Sequence, residues 1–389
     1  MPKRNRVWPG VERLVLGSAC ILIAAALLLV SDSGRRAGAL AAPRSNAPQR
    51  VAVLQYSSTP PLEESARGFL DVLGELGFRD SGRIRLTWYN AEADMPIASA
   101  IATEIMNAHV DLAATFGTPA LQAVANANRE GRVPHVFGAV AAPRTAGVGI
   151  GAQGPLDHPK HLVGVGTFVQ PEQSFRLARR MFPALRTIGI VWNAAESNSR
   201  IYTEAARAAC LALDIKVVEA NVDNSNGVAE SAASLVARGA DALWLGGDNT
   251  VMSAVGSLVL AGKRGGVPVF GTMTGTVEKG ALLSSGTNPY ENGRELGRLA
   301  AKVLDGIDAA TLPVEELFFP YTEINSLALE GLRGSWHVPP DLLREVDTLI
   351  DEAGTHARMR AAPAAALFPM KPPSLPATTA GRPDTPRGR

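Results

Sequence analysis

The chain has 389 residues, 46% of them hydrophobic and 19% charged, with a net charge of +1. That length exceeds one ordinary hydrophobic core, so two lobes with terminal extensions are expected. The near-neutral charge, with no basic patch interleaved with aromatics, argues against nucleic-acid binding, and with Cys20 in an N-terminal apolar stretch, Cys210 stands alone in the folded part, where a buried inert thiol is expected and no internal disulfide is possible.

Residues 1–49 read as an address rather than as fold. Lys3, Arg4, Arg6 and Arg13 precede an uncharged apolar run over residues 14–30. This is the pattern of a Sec-type signal or of an N-terminal signal anchor in the inner membrane, and its length serves either. Ala39-Leu40-Ala41 offers a small-x-small cleavage site, though Arg35 and Arg36 separate it from the apolar run. The basic flank predicts that the rest of the chain faces outward, as an exported, periplasmic protein.

Alternation of strands and helices begins at once. Residues 51–55 form a strand, 62–76 a helix stopped by Gly77, 84–89 a strand, 96–107 a helix and 112–116 a strand. A helix over 119–128 starts on Pro119 with Thr118 as expected N-cap, and 135–139 is a fourth strand. After a Gly-rich stretch at 147–159 the pattern restarts. Strands are predicted at 187–192, 216–220, 242–246 and 268–270, and helices at 171–181, 199–213, 228–238 and 249–261. Residues 282–284, a helix at 290–305, a strand at 317–319 and two short helices then close the domain near Asp351. The expected fold class is α/β, with parallel sheets covered on both faces. Residues 353–389, rich in Ala, Pro and Arg, read as a disordered tail.

Polar residues gather where strands end and helices begin, the edge at which open α/β sheets bind ligands. Tyr56, Ser57 and Ser58 end the first strand; Gly117 and Thr118 follow the third; Asn193, Asn198 and Ser199 follow Val191-Trp192; Asp248 and Asn249 follow Leu245. Thr272 and Thr274 flank Met273 beyond Gly271. Hydroxyls, amides and one carboxylate suit the holding of a polar solute better than bond-making chemistry, which needs a nucleophile with a base or a metal. Asp248 is read both as a helix cap and as the partner of a ligand ammonium. Gly149-Ile150-Gly151-Ala152-Gln153-Gly154 matches a dinucleotide fingerprint in form only, since Pro155 and a polar loop follow instead of a helix, and Asp157, His158 and His161 read as a solvated turn. No cofactor, metal or catalytic residue is assigned.

Together Gly117-Thr118-Pro119-Ala120, Asn193 with Glu196, Asn198 and Ser199, and Asp248-Asn249-Thr250-Val251 resemble the type I periplasmic solute-binding proteins of ABC importers. Asn90-Ala91-Glu92, Tyr290-Glu291 with Gly293, and Val338-Pro339-Pro340-Asp341 extend the resemblance over about residues 50–352. The family's Thr-Asp-Pro loop is replaced here by Ala141-Ala142-Pro143-Arg144, and a polar pair near Gly271 by Thr272-Met273-Thr274. The resemblance implies two doubly wound lobes joined by a multi-strand hinge, one of residues 50–165 completed by 286–320, the other of 166–285 completed by 321–352. It implies a monomer that captures a small polar solute, such as an amino acid, by hinge closure and passes it to an ABC permease in the inner membrane. A ligand-sensing receptor domain for a signalling partner, and an α/β hydrolase, remain alternatives at this stage.

Overall fold

The computed structural model describes residues 47–358 and 366–367. The predicted signal or anchor segment and most of the predicted tail lie outside the described residues. Among the described residues no helix is long and apolar enough to cross a membrane.

In the first half, strands β1 (Gln49–Gln55), β2 (Ile84–Asn90), β3 (Leu112–Phe116), β4 (His135–Val140) and β5 (Leu162–Gly166) alternate with helices α1 (Pro60–Glu75), α2 (Met95–Asn107) and α3 (Thr118–Ala127). The second half contains α4 (Pro171–Met181), β6 (Thr187–Trp192), α5 (Ser197–Ala212), β7 (Lys216–Asn221), α6 (Val228–Ala237) and β8 (Ala242–Leu245). It continues with α7 (Asn249–Ser253), α8 (Val255–Arg264), β9 (Val269–Gly271), β10 (Leu283–Thr287) and α9 (Pro289–Leu304). The chain closes with β11 (Glu315–Phe318), β12 (Pro320–Asn325), α10 (Pro340–Glu345), β13 (Thr348–Asp351), β14 (Gly354–Ala357) and β15 (Ala366–Leu367).

Two sheets result, in the orders β15-β11-β5-β4-β3-β1-β2 and β14-β13-β12-β10-β9-β8-β6-β7. Pairing is parallel from β1 to β5 and from β6 to β10; the β10–β12, β13–β14 and β11–β15 pairs are antiparallel. Every residue of β3 and β8 is buried, as strands covered on both faces require. Up to β14 the chain passes from one sheet to the other three times, after β5, after β10 and between β11 and β12, and β15 then returns to the first sheet.

Helix α9, although it follows β10, packs on the first sheet against α1. The two backbones approach so closely that a Cβ on Gly68 would lie 2.1 Å from the Tyr290 carbonyl oxygen, and one on Gly293 1.9 Å from that of Ser65. Glycine is therefore obligatory at this crossing. The crossing brings together the helices that carry Ser65 and Asn292, both of them buried.

Several local features differ from the sequence reading, which expected no strand at β5, β12 or β13. The helix predicted at 249–261 is broken at Ala254 into α7 and α8. Thr118 is not the cap of α3: Gly117 takes that place at φ 99°, a left-handed conformation that a β-branched residue resists, and Thr118 becomes the first helical residue without a side-chain cap bond. At the tail, the chain does not lose order at residue 353. Gly354, at φ 123°, turns it back so that Gly354–Ala357 pairs with Thr348–Asp351.

Candidate functional site

Between the sheets lies a cavity of about 80 Å³. The first sheet's helices contribute Pro61, Leu62, Ser65, Thr118, Pro289 and Asn292; the second lobe contributes Asn198, Tyr202, Gly247, Asn249, Thr272, Met273 and Thr274. Ala139, Ala141, Thr167, Val169 and Thr287 line it from β4, the first crossover and the end of β10. The walls are thus strand C-termini and the first turns of α1, α3, α5, α7 and α9, where backbone N–H groups are free of intrahelical partners. No lining side chain is charged.

The nearest carboxylates lie behind the wall. Glu196 is buried and accepts five hydrogen bonds. Its Oε2 takes the Asn249 backbone N–H at 3.0 Å, the Asn249 side-chain amide at 2.7 Å and the Asn198 amide at 3.0 Å. Its Oε1 takes the Thr250 N–H at 2.9 Å and the Thr250 hydroxyl at 2.7 Å. Glu196 therefore caps α7 from another loop. Asp248 caps the same helix from within, its Oδ1 accepting the Val251 N–H at 2.7 Å. Asp248 Oδ2 accepts the Asn193 N–H at 2.7 Å and the Ser199 hydroxyl at 2.5 Å. Asn193 completes the knot by donating its amide to Thr250 Oγ1 at 2.9 Å.

This knot fixes Asn198. Its side-chain nitrogen donates to Glu196 Oε2 and, at 2.8 Å, to the Gly247 carbonyl oxygen. Both partners are acceptors, so the amide cannot be turned over, and Oδ1 is left as the acceptor on the cavity wall. That oxygen is buried and has no hydrogen-bond partner among the described residues. The same holds for Ser65 Oγ, Thr272 Oγ1 and Asn292 Oδ1, so four orphaned oxygens belong to residues lining one cavity, two from each lobe. Buried polar groups ordinarily find partners, and such a cluster calls for a ligand.

Of the residues singled out from the sequence, Thr118, Asn198, Asn249, Thr272 and Thr274 line the cavity. Asn193, Ser199 and Asp248 form the network beneath it. Gly117 shapes the start of α3, where a Cβ would come within 3.3 Å of Tyr56 Cβ. Tyr56 donates its hydroxyl to the Ala93 carbonyl oxygen at 2.9 Å, and burial, with Glu196, Asp94 and Asp248 nearby, keeps that hydroxyl firmly protonated. Ser57 Oγ is buried without a partner among the described residues, and Ser58 Oγ accepts from the Asn90 amide at 2.7 Å. Sequence reasoning did not assign Ser65, Asn292 or Tyr202 to the site. The first two are polar residues on otherwise apolar helix faces, the one signal that marked them. Tyr202 accepts the Val169 N–H at 3.0 Å and lies flat under Gly247, where a Cβ would meet its ring at 2.2 Å. A Gln122 amide of α3 reaches Ser197 Oγ of α5 at 3.3 Å, so the lobes touch beside the cavity. Among the described residues no group of three His, Cys, Asp or Glu side chains is placed to hold a metal. Cys210 is buried, which pushes its thiol up to about 12.

Residues 50–333 match the family model described as ABC transporter substrate binding protein. The chain belongs to that family. It is 26% identical over 284 residues to a tyrosine-binding protein of Clostridioides difficile, covering 73% of this chain and 81% of that one. It resembles an ABC domain in complex with L-Trp from Streptococcus pneumonia (TM-score 0.73, 25% identity, 78% of this chain and 100% of that one). It resembles less closely a ligand-free, open substrate binding protein from Clostridium difficile (TM-score 0.56, 28% identity, 75% and 97%). The family is one of substrate-binding proteins, which agrees with a cavity of hydroxyls, amides and helix starts.

Two expectations follow from this geometry. Thr118→Ala should leave the denaturant midpoint close to wild type, because Thr118 caps nothing, while solute affinity falls by up to about tenfold through loss of one hydroxyl contact. Asp248→Asn should instead cost about 1–2 kcal/mol of folding stability, since one of its three donors must lose its acceptor. Binding should change less than folding, the reverse of what an ammonium partner would show. Unfolding curves beside calorimetric titrations separate the two.

A third concerns pH. Burial, and then the neighbouring Glu196 charge, push Asp248 up to about 7 against the pull of Ser199, Val251 and Asn193. Burial likewise pushes Glu323, on β12, up to about 7. Between the ordinary carboxyl range and about pH 7, both groups hold protons in the native state more than they do in the unfolded chain. Their contribution is complete below the ordinary carboxyl range and is lost as pH rises through about 7. The melting temperature should be lower at pH 8 than at pH 5.5; a rise over that interval would contradict it.

Proposed function

We propose that the protein is an exported receptor that binds an aromatic amino acid between its lobes and delivers it to an ABC permease. The observation that carries this reading is the pair of orphaned acceptors, Asn198 Oδ1 in one lobe and Asn292 Oδ1 in the other. An ammonium supplies several N–H donors from one atom and suits both at once. The solute carboxylate then meets the helix starts at Thr118 and Asn198, where free N–H groups and the helix dipole favour an anion. Pro61, Leu62, Val169, Tyr202 and Met273 offer apolar surface for the ring. Thr118, Asn198, Asn249, Thr272 and Thr274 are the proposed contacts, with Ser65 and Asn292 added. Asn193, Ser199 and Asp248 hold that wall, and Tyr56, Ser57, Ser58 and Gly117 shape the opposite edge.

Contacts drawn from both lobes favour the closed state, since only that state makes them all. The proposed hinge is the set of three chain passages between the sheets. Export rests on the basic and apolar pattern of residues 3–30, with retention by a membrane anchor or release as a free monomer. The test is a thermal-shift screen of the purified protein against amino acids, nucleosides and sugars. A solute at about 100 times its dissociation constant adds ~2.7 kcal/mol. L-tyrosine or L-tryptophan should raise the melting temperature; a response confined to sugars or nucleosides would overturn the assignment.

A further inference from the structure

The cavity wall at Thr272-Met273-Thr274 ends on Gly275, and Gly275 is held from behind. Its N–H donates to Glu323 Oε2 at 2.7 Å. Glu323 is a buried residue on β12, three residues past the start of the strand that follows the third passage between the sheets. The loop is tied a second time by Thr276 Oγ1, which donates to the Met273 carbonyl oxygen at 2.8 Å. Gly275 stands at φ 76°, in the left-handed region. A Cβ built on it would lie 2.7 Å from Cβ of Pro60, the first residue of α1. Pro60 belongs to the first lobe and Gly275 to the second, so this is a backbone contact across the cleft.

We propose that Glu323 and Gly275 form a closure latch: the Glu323 carboxylate fixes the loop so that the bare backbone of Gly275 seats against Pro60 when the lobes come together. Glu323 acts here as a positioning residue and does not touch the solute. Its place beside the third passage means that a hinge movement reaches the cavity rim through one hydrogen bond. Only glycine serves at 275, because the position demands both a left-handed backbone and no Cβ. The latch rests on the reading of the cavity as a solute site that closes by a hinge.

The first measurement needs no solute. Amide exchange at Gly275 should be slow in the wild type and in Glu323→Gln, whose side-chain oxygen still accepts, and at least tenfold faster in Glu323→Leu. Equal protection in Glu323→Leu would overturn the latch. The second uses L-tyrosine and L-tryptophan as probes. Gly275→Ala should lower affinity by tenfold or more, Glu323→Leu similarly, and Glu323→Gln little. Adding Pro60→Gly to Gly275→Ala removes the opposing Cβ and should restore part of the lost affinity, the cost of a left-handed alanine remaining. If the double variant binds no better than Gly275→Ala, the contact across the cleft is not the cause and the latch fails. A wild-type protein that ignores both amino acids would refute the aromatic assignment instead, and the latch would then be decided by the exchange experiment alone.

Discussion

Replacing Glu196 by glutamine is expected to destabilise the protein by about 3 kcal/mol or more, although the two side chains are nearly isosteric. The reason lies in the donor count. All five partners of Glu196 donate: two backbone N–H groups, two amides and a hydroxyl. Glutamine has one acceptor oxygen, so its –NH₂ must face either the Thr250 pair or the Asn249 and Asn198 group. Either choice sets donor against donor in a buried place and leaves at least two polar hydrogens unsatisfied. Loss of the charge relieves Asp248, whose carboxyl Glu196 pushes upward, and so returns part of the cost. The net effect should still lower the melting temperature by roughly 5–10 °C. Affinity should fall as well, since Asn198 loses its anchor. A change below about 0.5 kcal/mol would mean that water reaches the network and replaces the lost acceptor.

The largest effect on binding is expected from Asn198→Ala, with a loss of roughly 10–150-fold in affinity. The variant removes the acceptor offered to the solute and two donor bonds that hold the second lobe's wall. Its folding cost should be smaller than that of Glu196→Gln, because Glu196 keeps four of its five donors. Asn198→Asp is the informative companion. It retains an acceptor but sets a third buried carboxylate against Glu196 Oε2, so stability should fall sharply. Calorimetric titration with the solute found by screening, beside an unfolding curve, reads both quantities. Wild-type affinity in Asn198→Ala would place the ammonium elsewhere on the wall.

Much of this site was legible in the sequence because the sheet edge is a local feature. A buried apolar strand followed by a polar turn and a helix announces its own C-terminal end, as at Phe116-Gly117-Thr118 and Leu245 to Asn249. That rule singled out Thr118, Asn198, Asn249, Thr272 and Thr274, which line the cavity. Ser65 and Asn292 were not, because they sit inside helices and reach the cavity only through the glycine crossing of α1 and α9, a contact between segments more than two hundred residues apart. Asp248 carried the right type of side chain in the right place, yet its role depends on three donors, two of which, Asn193 and Ser199, come from the turn after β6 and the first turn of α5. The cap of α3 was displaced by one residue because a backbone angle at Gly117, not side-chain chemistry, sets the start of that helix.

The placement of α9 also orders events in time. Its Leu296 lies so close over β4 that a Cβ on Gly138 would come within 2.6 Å of it. Until α9 arrives, that face of the first sheet and the facing stripe of α1 lack their cover. At about 5–20 residues per second, synthesis takes on the order of ten seconds to run from the end of β5 at Gly166 to the start of α9 at Pro289. The second sheet waits longer still, for β12 and β13. The nascent chain therefore emerges without a finished lobe until nearly all of the folded region has been made.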